Sequence, residues 1–117
     1  MRRDWDLIRD ILIAIEELPD TSSRLNANAI NGYEAEIVSY HMSILNEAGL
    51  IVAQCSKAKP LFCFATSLTW SGHELLDKIK QQSVWNKAKS LIKEKSLDLS
   101  YDALKIALGA IISNSFR

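Results

Sequence analysis

Glycine and histidine are both scarce in this chain, and their scarcity argues against several classes of enzyme. The four glycines lie far apart, so the chain has neither a dinucleotide-binding fingerprint nor a glycine-rich phosphate loop. Histidine occurs only at His41 and His73, and neither falls in a spacing typical of a catalytic triad or a zinc site. We therefore predict no enzymatic activity, no catalytic residue, no cofactor, no metal site and no small-molecule substrate.

Long apolar runs and a net charge are also missing. The longest apolar run, residues 11–15, is far below the ~20 residues that span a bilayer, so we expect a cytoplasmic protein without membrane contact. Lysine plus arginine equals aspartate plus glutamate, 14 against 14, so no overall field attracts nucleic acid. Any such affinity has to come from an uneven placement of the cations.

Cysteine is limited to Cys55 and Cys63, too few for the disulfide framework of a secreted protein. A turn near Lys59 and Pro60 would place the two cysteines opposite each other near the tip of a β-hairpin. In a reducing cytosol we expect two half-buried thiols, with a redox pair as the alternative.

The apolar periodicity of the first half of the chain predicts a helix, a short strand and a second helix. Residues 4–18 have the spacing of an amphipathic helix, and Asp4 can serve as its N-cap. Residues 25–30 are interpreted as a short extended segment. Residues 34–46 predict the second helix, and Gly49 supplies its left-handed C-cap.

A β-hairpin and another helix follow. Residues 50–55 predict the first strand of the hairpin, and residues 62–70 predict the return strand. The alternating larger side chains of the return strand predict its packed face: Phe62, Phe64, Thr66, Leu68 and Trp70. Ser71 and Glu74 have the spacing of a capping box at the start of the next helix.

The order of helix, short strand, helix and β-hairpin is that of a winged-helix core. The predicted fold class is therefore α+β, mostly α, with a winged-helix-like core followed by C-terminal helices. We expect a single domain over residues 1–117. Its core spans residues 1–81 with the wing at residues 50–70, and residues 83–117 form a C-terminal helical extension.

Two sequence blocks resemble a family of short bacterial and prophage proteins of unknown function that has a winged-helix-like core. They are Leu-Thr-Trp-x-Gly-His-Glu at residues 68–74 and Trp-Asn-Lys at residues 85–87. The resemblance implies a bacterial or phage protein of the cytoplasm and carries over no catalytic residue. The chain departs from winged-helix regulators in one respect: before residue 34 there is no room for the usual first helix of a helix-turn-helix. The segment at 25–30 either replaces that helix or the helix is lost.

The first functional hypothesis is a DNA-associated regulator or accessory factor that acts as a homodimer. Lysine and arginine would contact the phosphate backbone through the N-terminus, the wing and the later helices, with little sequence specificity. The candidate residues are Arg2, Arg3, Lys57, Lys59, Lys87 and Lys89. A solvated lysine face is the competing interpretation of the same pattern.

The last predicted helix, residues 100–113, is apolar around most of its circumference and suggests the dimer contact. The candidate interface residues are Leu104, Leu108, Ile111 and Ile112.

The second hypothesis is a protein–protein interaction module or inhibitor, in phage–host conflict or in assembly, that has lost DNA binding. The helix over residues 34–47 contains three glutamates and no cation, which suits a basic protein partner better than a phosphate backbone. Its candidate contact residues are Glu36, Ser39, Tyr40, Ser43, Asn46 and Glu47.

Overall fold

The computed structural model describes residues 1–94 and 100–115. Its helices are α1 (Trp5–Glu16), α2 (Ala35–Glu47), α3 (Trp70–Ile79), α4 (Gln82–Glu94) and α5 (Tyr101–Ser115). Its strands are β1 (Leu25–Asn26), β2 (Ile51–Cys55) and β3 (Cys63–Leu68), and a 3₁₀ turn covers Ala27–Ala29. The chain divides into two compact units, Met1–Leu76 and Asp77–Arg117, which are called here the winged unit and the helical unit.

Helix α1 begins where the sequence predicts. The Asp4 side chain accepts hydrogen bonds from the backbone amides of Asp6 and Leu7 at 3.0 and 3.2 Å, which satisfies two of the free amides at the helix start. The apolar stripe of α1 is almost completely buried in the core of the winged unit: Trp5, Leu7, Ile8, Ile11, Leu12 and Ile15.

The segment before α2 confirms the short strand and shows what replaces the missing helix. Residues 25–26 form β1, and the 3₁₀ turn occupies the place of the first helix of a helix-turn-helix. At the other end of α2, Gly49 has a φ of +76°, and the Leu50 amide donates to the Leu45 carbonyl at 3.0 Å. This is the predicted glycine cap, and it turns the chain from α2 directly into β2.

The three strands form an antiparallel sheet in the order β1-β3-β2, so β3 lies in the centre. Helices α1 and α2 pack against one face of β3. Together with the order of elements along the chain, this arrangement confirms the winged-helix-like α+β fold.

The predicted packed face of the return strand is confirmed at Leu68 and is wrong at the other positions. The buried residues of β3 are Cys63, Ala65 and Leu68, whereas Phe62 is 40% exposed and Trp70 is 80% exposed. A bulge between Val52 and Ala53 shifts the register of β2 against β3. The buried residues of β3 are therefore odd-numbered before the bulge, Cys63 and Ala65, and even-numbered after it, Leu68. The small side chains of Cys63 and Ala65 allow α2 to approach the strand closely, and the larger rings therefore face away from the helices.

Helix α3 is capped by Thr69 and not by the predicted Ser71. The Gly72 amide donates to the Thr69 hydroxyl at 3.1 Å, and the hydroxyl itself donates to the Gly49 carbonyl at 2.6 Å. Ser71 lies inside the helix, and the Glu74 carboxylate accepts a hydrogen bond from the Trp70 indole instead of reaching back to a cap.

The helical unit is built on α4 and α5, which pack on each other. Its buried side chains include Trp85, Ala88, Ile92, Leu104, Ala107 and Leu108. The Ser100 hydroxyl caps α5 by accepting from the Ala103 amide at 3.1 Å.

These contacts correct two of the predicted dimer residues. Leu104 and Leu108 are fully buried within the chain itself, so neither offers surface to a second copy. Ile111 is half-buried, and the side chain of Ile112 lies outside the described part of the chain. None of the described helices has the length and apolar character needed to cross a membrane.

Candidate nucleic-acid interface

The sheet presents a polar and aromatic surface on the side away from α1 and α2. We call this surface the outer sheet face; it consists of Asn26, Val52, Gln54, Phe62, Phe64 and Thr66. Asn26, Phe64 and Gln54 form one row across the three strands, because Phe64 on the central strand pairs with Asn26 on β1 and with Gln54 on β2. The Arg24 guanidinium lies over the Phe64 ring, 4.7 Å from the ring centroid.

The loop between β2 and β3, residues 56–62, is the wing loop, and it carries the predicted lysines Lys57 and Lys59, both exposed. Its ends are tied by hydrogen bonds: the Ser56 amide donates to the Phe62 carbonyl at 2.8 Å, and the Phe62 amide donates to the Ser56 hydroxyl at 3.0 Å. The wing loop therefore projects both ammonium groups from a closed turn.

A disulfide joins Cys55 to Cys63 at the base of the wing loop. The prediction that the hairpin brings the two cysteines opposite each other is confirmed, and the prediction of two thiols is wrong. Cys63 is buried and Cys55 is exposed. Since both sulfurs are bonded to each other, neither is a thiolate that could ligate a metal ion.

Charge is distributed unevenly within the winged unit. The unit has six lysines and arginines against ten aspartates and glutamates, a formal charge of −4. Residues 48–73, which include β2, the wing loop and β3, nevertheless contain Lys57 and Lys59 and no acidic residue. The sheet and wing loop are thus the cationic part of an acidic unit.

The acidic side of the winged unit includes the start of α1. Burial raises the pKa of Asp10, the nearby Arg9 lowers it, and the charges of Asp6 and Asp4 raise it again. Burial also raises the pKa of Tyr33, and the carboxylates of Asp4, Asp10 and Asp6 add to this effect. Burial is the largest cause of both pKa shifts, and the carboxylates of Asp4 and Asp6 add a negative potential at this helix, which disfavours contact with phosphate.

The helical unit has the opposite charge, with eight lysines and arginines against four aspartates and glutamates, a formal charge of +4. Residues 82–93 of α4 contain three lysines and no acid. Lys87 and Lys93 are exposed, whereas Lys89 is half-buried with its Nζ 5.6 Å from the Trp85 ring centroid. Trp85 is fully buried and belongs to the core, so it is no stacking platform for a base.

In winged-helix regulators, the helix at the position of α2 is the recognition helix. In this chain, α2 offers a poor surface for DNA. Glu36, Asn46 and Glu47 are exposed, and Tyr40 and Ser43 are half-buried. The Asn46 side chain already accepts a hydrogen bond from the Ala53 amide at 3.0 Å. No lysine or arginine occurs in the helix to neutralise a phosphate.

The assignment of Ser39 to this exposed surface is wrong. Ser39 is fully buried, and its hydroxyl accepts a hydrogen bond from the Cys63 amide at 2.9 Å. The contact joins α2 to the centre of the sheet, just below the disulfide. Ser39 is therefore a structural residue.

Replacing Ser39 with alanine is expected to lower the free energy of unfolding by about 1–3 kcal/mol, because the buried Cys63 amide loses its acceptor. Urea denaturation followed by circular dichroism measures the change. The control is Ser43→Ala on the same helix, where a half-buried hydroxyl is removed and the expected change is below about 0.5 kcal/mol. Equal stability of the two variants would contradict the assigned contact.

The predicted N-terminal cations lie beside α2. Arg2 and Arg3 are both exposed, and the Arg3 guanidinium is 5.8 Å from the Trp5 ring centroid. A groove of about 460 Å³ opens here, lined by Met1, Arg3, Tyr40, Ile44, Glu47 and Ala48. Arg3 thus contributes to the surface of the alternative hypothesis, a protein contact at α2.

His41 has a structural role between α1 and α2. Its ring is fully buried, its Nε2 accepts from the Asp4 amide at 2.9 Å, and its Nδ1 donates to the Ile37 carbonyl at 2.8 Å. Both ring nitrogens are therefore used in holding the N-cap of α1 against α2. His73 is exposed on α3. Within residues 1–94 and 100–115, no three His, Cys, Asp or Glu side chains form a group that could hold a metal ion.

The fold places this protein among winged-helix-like proteins, and comparison with known proteins gives its family. Residues 2–98 match the family described as "Hypothetical protein (DUF2513)", and the chain belongs to that family. A Haemophilus influenzae protein named "Uncharacterized protein" is 47% identical over 114 residues, which cover 97% of each chain. The predicted resemblance to a bacterial family of unknown function is thereby confirmed.

One solved structure can be set beside the fold. The chain named "Putative transcriptional regulator ytfH from Salmonella typhimurium" aligns with 77% of this chain and with 80% of its own length. The sequence identity is 14% and the TM-score is 0.47.

Proposed function

We propose that this protein is a non-enzymatic, DNA-associated regulator or accessory factor of the bacterial cytoplasm. It contacts the phosphate backbone through the wing loop and through the exposed lysines of α4. The observation that supports this proposal is the separation of charge. Residues 48–73 and 82–93 carry cations without a single acid, although the whole chain is neutral.

Phosphate contacts supply most of the affinity of non-specific DNA binding, because each neutralised phosphate releases condensed counterions. Lys57 and Lys59 on the wing loop and Lys87 and Lys93 on α4 are exposed ammonium groups of this kind. Base reading in the major groove requires a helix with suitable side chains, and the acidic α2 does not provide one. Binding is therefore expected to be weakly sequence-specific.

Charge reversal at the lysines tests the proposal. The double variants Lys57→Glu/Lys59→Glu and Lys87→Glu/Lys93→Glu are each expected to weaken binding to random duplex DNA by at least about tenfold at low salt. Each is also expected to reduce the slope of log K against log salt by about two, since each lysine accounts for about one phosphate. Fluorescence anisotropy at several salt concentrations measures both quantities.

The control is Glu36→Lys/Glu47→Lys, which changes the charge of α2 by the same amount in the opposite direction. If the proposal holds, this variant binds duplex DNA as well as the parent protein or more tightly. Absence of any complex with random duplex at low salt overturns the proposal.

A homodimer is part of the proposal, and its contact has to use residues other than Leu104 and Leu108. Ile106 on α5 is 72% exposed and is the largest apolar side chain that the described part of α5 presents to solvent. Sedimentation equilibrium of the parent protein and of Ile106→Lys checks both the oligomeric state and this contact.

The groove beside α2 supports a second candidate function, binding of a basic protein. It combines the apolar surface of Ile44 and Ala48 with the Tyr40 ring and the Glu47 carboxylate. Under this alternative, Glu36→Lys/Glu47→Lys removes binding to a basic protein such as a histone, and the lysine variants leave it intact. The same set of variants thus separates the two functions.

A further inference from the structure

We propose that the outer sheet face binds unpaired bases of single-stranded nucleic acid. The Phe62 ring provides one stacking surface, and the Arg24 guanidinium, supported from below by Phe64, provides the second. This inference rests on the proposed function, in which the lysines supply the phosphate contacts, and it adds a specific kind of ligand and a specific surface.

The aromatic rings are placed where the structure itself does not need them. Phe62 is 40% exposed, and Phe64 is half-buried on the central strand with its ring facing away from α1 and α2. An exposed phenylalanine lowers solubility without adding to the core, so the exposed Phe62 beside the half-buried Phe64 indicates a binding surface. Base–aromatic stacking is the interaction by which many single-strand-binding proteins use such rings.

The spacing of the two positions suits successive bases. Phe62 directly precedes β3, and two residues of extended chain span about 6.8 Å. That separation is about twice the 3.4 Å rise of a stacked nucleotide strand, so the two positions match bases of a strand that has been partly extended. The Arg24 guanidinium extends the stack above Phe64, because a planar guanidinium can stack both on a ring and on a base.

Polar groups flank the stacking positions. Asn26 and Gln54 lie on either side of Phe64 in the same row of the sheet, and both are exposed. Neighbouring strands are about 4.8 Å apart, so both amide side chains are within reach of the edges of a base stacked on this row. Each amide offers donors and an acceptor, which tolerates different bases.

The charge of this region complements a nucleic-acid backbone. Arg24 precedes β1, Lys57 and Lys59 lie on the wing loop, and the strands contain no acidic residue. The acidic residues of the winged unit lie instead on or beside its helices and in the turns that connect α1 to β1. A single strand fits better than a duplex, since the faces of paired bases are covered by their neighbours in the stack.

An abasic oligonucleotide separates stacking from phosphate contact. The probes are a thymidine homo-oligomer, an abasic oligomer of the same length and charge, and a random duplex. The parent protein is expected to bind the thymidine oligomer at least about tenfold more tightly than the abasic oligomer at equal salt, from one or two stacked bases.

Variants at Phe62 identify the ring. Phe62→Leu keeps an apolar side chain without a π face and is expected to remove most of the preference for the thymidine oligomer. Phe62→Tyr keeps the ring and is expected to retain the preference. Phe62 is already exposed, so both variants are expected to fold, and circular dichroism confirms it. The control alters an exposed apolar residue that lies outside the outer sheet face, Trp70→Leu at the start of α3.

The outcomes distinguish the inference from the function on which it rests. Equal affinity for the thymidine and abasic oligomers, or an unchanged preference in Phe62→Leu, overturns the base-stacking surface while phosphate binding by the lysines stands. Absence of binding to all three probes at low salt overturns both. A preference that falls equally in Phe62→Leu and Trp70→Leu also overturns the inference, because it indicates a general apolar contact.

Discussion

Replacing Gly72 with alanine is expected to destabilise the protein by about 3 kcal/mol or more. A Cβ at this position would lie 1.9 Å from the Leu50 carbonyl oxygen and 3.0 Å from the Leu50 carbonyl carbon. Both are backbone atoms, and the same oxygen accepts a hydrogen bond from the Thr69 amide at 3.1 Å. The first turn of α3 therefore cannot move away without breaking this hydrogen bond, which joins the helix to the chain entering β2. Overpacking against backbone atoms that cannot move accounts for the expected destabilisation.

The matched control is Gly109→Ala on α5, where an added Cβ would meet no atom within 4 Å. Alanine has a higher helix propensity than glycine, so this variant is expected to gain up to about 1 kcal/mol. Urea denaturation compares the two variants with the parent. A Gly72→Ala variant with parental stability would show that α3 does not approach Leu50 closely.

The features predicted correctly from the sequence depend on residues close together in the chain. Asp4 caps α1 because its side chain needs only the amides two and three residues ahead. Gly49 ends α2 because the left-handed conformation favours glycine, whatever packs around it. These local signals fixed the order of elements, and the order of elements led to the winged-helix-like fold.

The errors concern contacts between residues far apart. The face of β3 depends on a bulge: Val52 pairs with Ser67 and Ala53 with Ala65, so Thr66 is an extra residue of β3 that regular alternation does not reveal. Ser39 is buried because it meets the Cys63 amide from a position 24 residues earlier. Thr69 rather than Ser71 caps α3 because Thr69 is also held by the Gly49 carbonyl.

The candidate interface was only partly accessible to prediction for the same reason. The wing-loop lysines follow from composition and from the position of the turn. The surface beside them depends on the pairing of Asn26 and Gln54 with Phe64, which brings together three strands. The Phe-x-Phe spacing of residues 62 and 64 places both rings on one face of the strand. Because the bulge was not predicted, that face was assigned to the core.

The disulfide was ranked second to two thiols on different grounds. The hairpin geometry was predicted to bring Cys55 and Cys63 opposite each other, and the argument against a bond was the reducing environment of a cytosol. The bond joins two paired positions of β2 and β3, so it closes a short loop that the hairpin has already formed. The bond follows from the pairing of the two cysteines in the hairpin, which the argument from a reducing cytosol did not take into account.

Replacement by alanine is expected to destabilise the protein strongly at Trp85 and hardly at all at Trp70. Trp85 on α4 is 0% exposed and is the largest fully buried side chain of the described residues, whereas Trp70 is 80% exposed. Removing the fully buried Trp85 side chain leaves a cavity in the core that the backbone cannot fill, at an expected cost of about 3–5 kcal/mol. Removing Trp70 leaves no cavity and breaks only an exposed hydrogen bond to Glu74, so the expected change is within about 0.5 kcal/mol.

Urea denaturation followed by far-ultraviolet circular dichroism compares the two variants. In Trp70→Ala, the remaining Trp5 and Trp85 also report the winged and helical units by fluorescence. The consequence for function follows from the position of Lys87 and Lys93 on the same helix as Trp85. Loss of the α4–α5 core is expected to disperse these lysines and to weaken duplex binding as strongly as their charge reversal, while Trp70→Ala leaves binding unchanged. If Trp85→Ala retained parental stability, α4 would not depend on this core. If the variant lost stability and kept its duplex affinity, the α4 part of the proposal would have to be withdrawn.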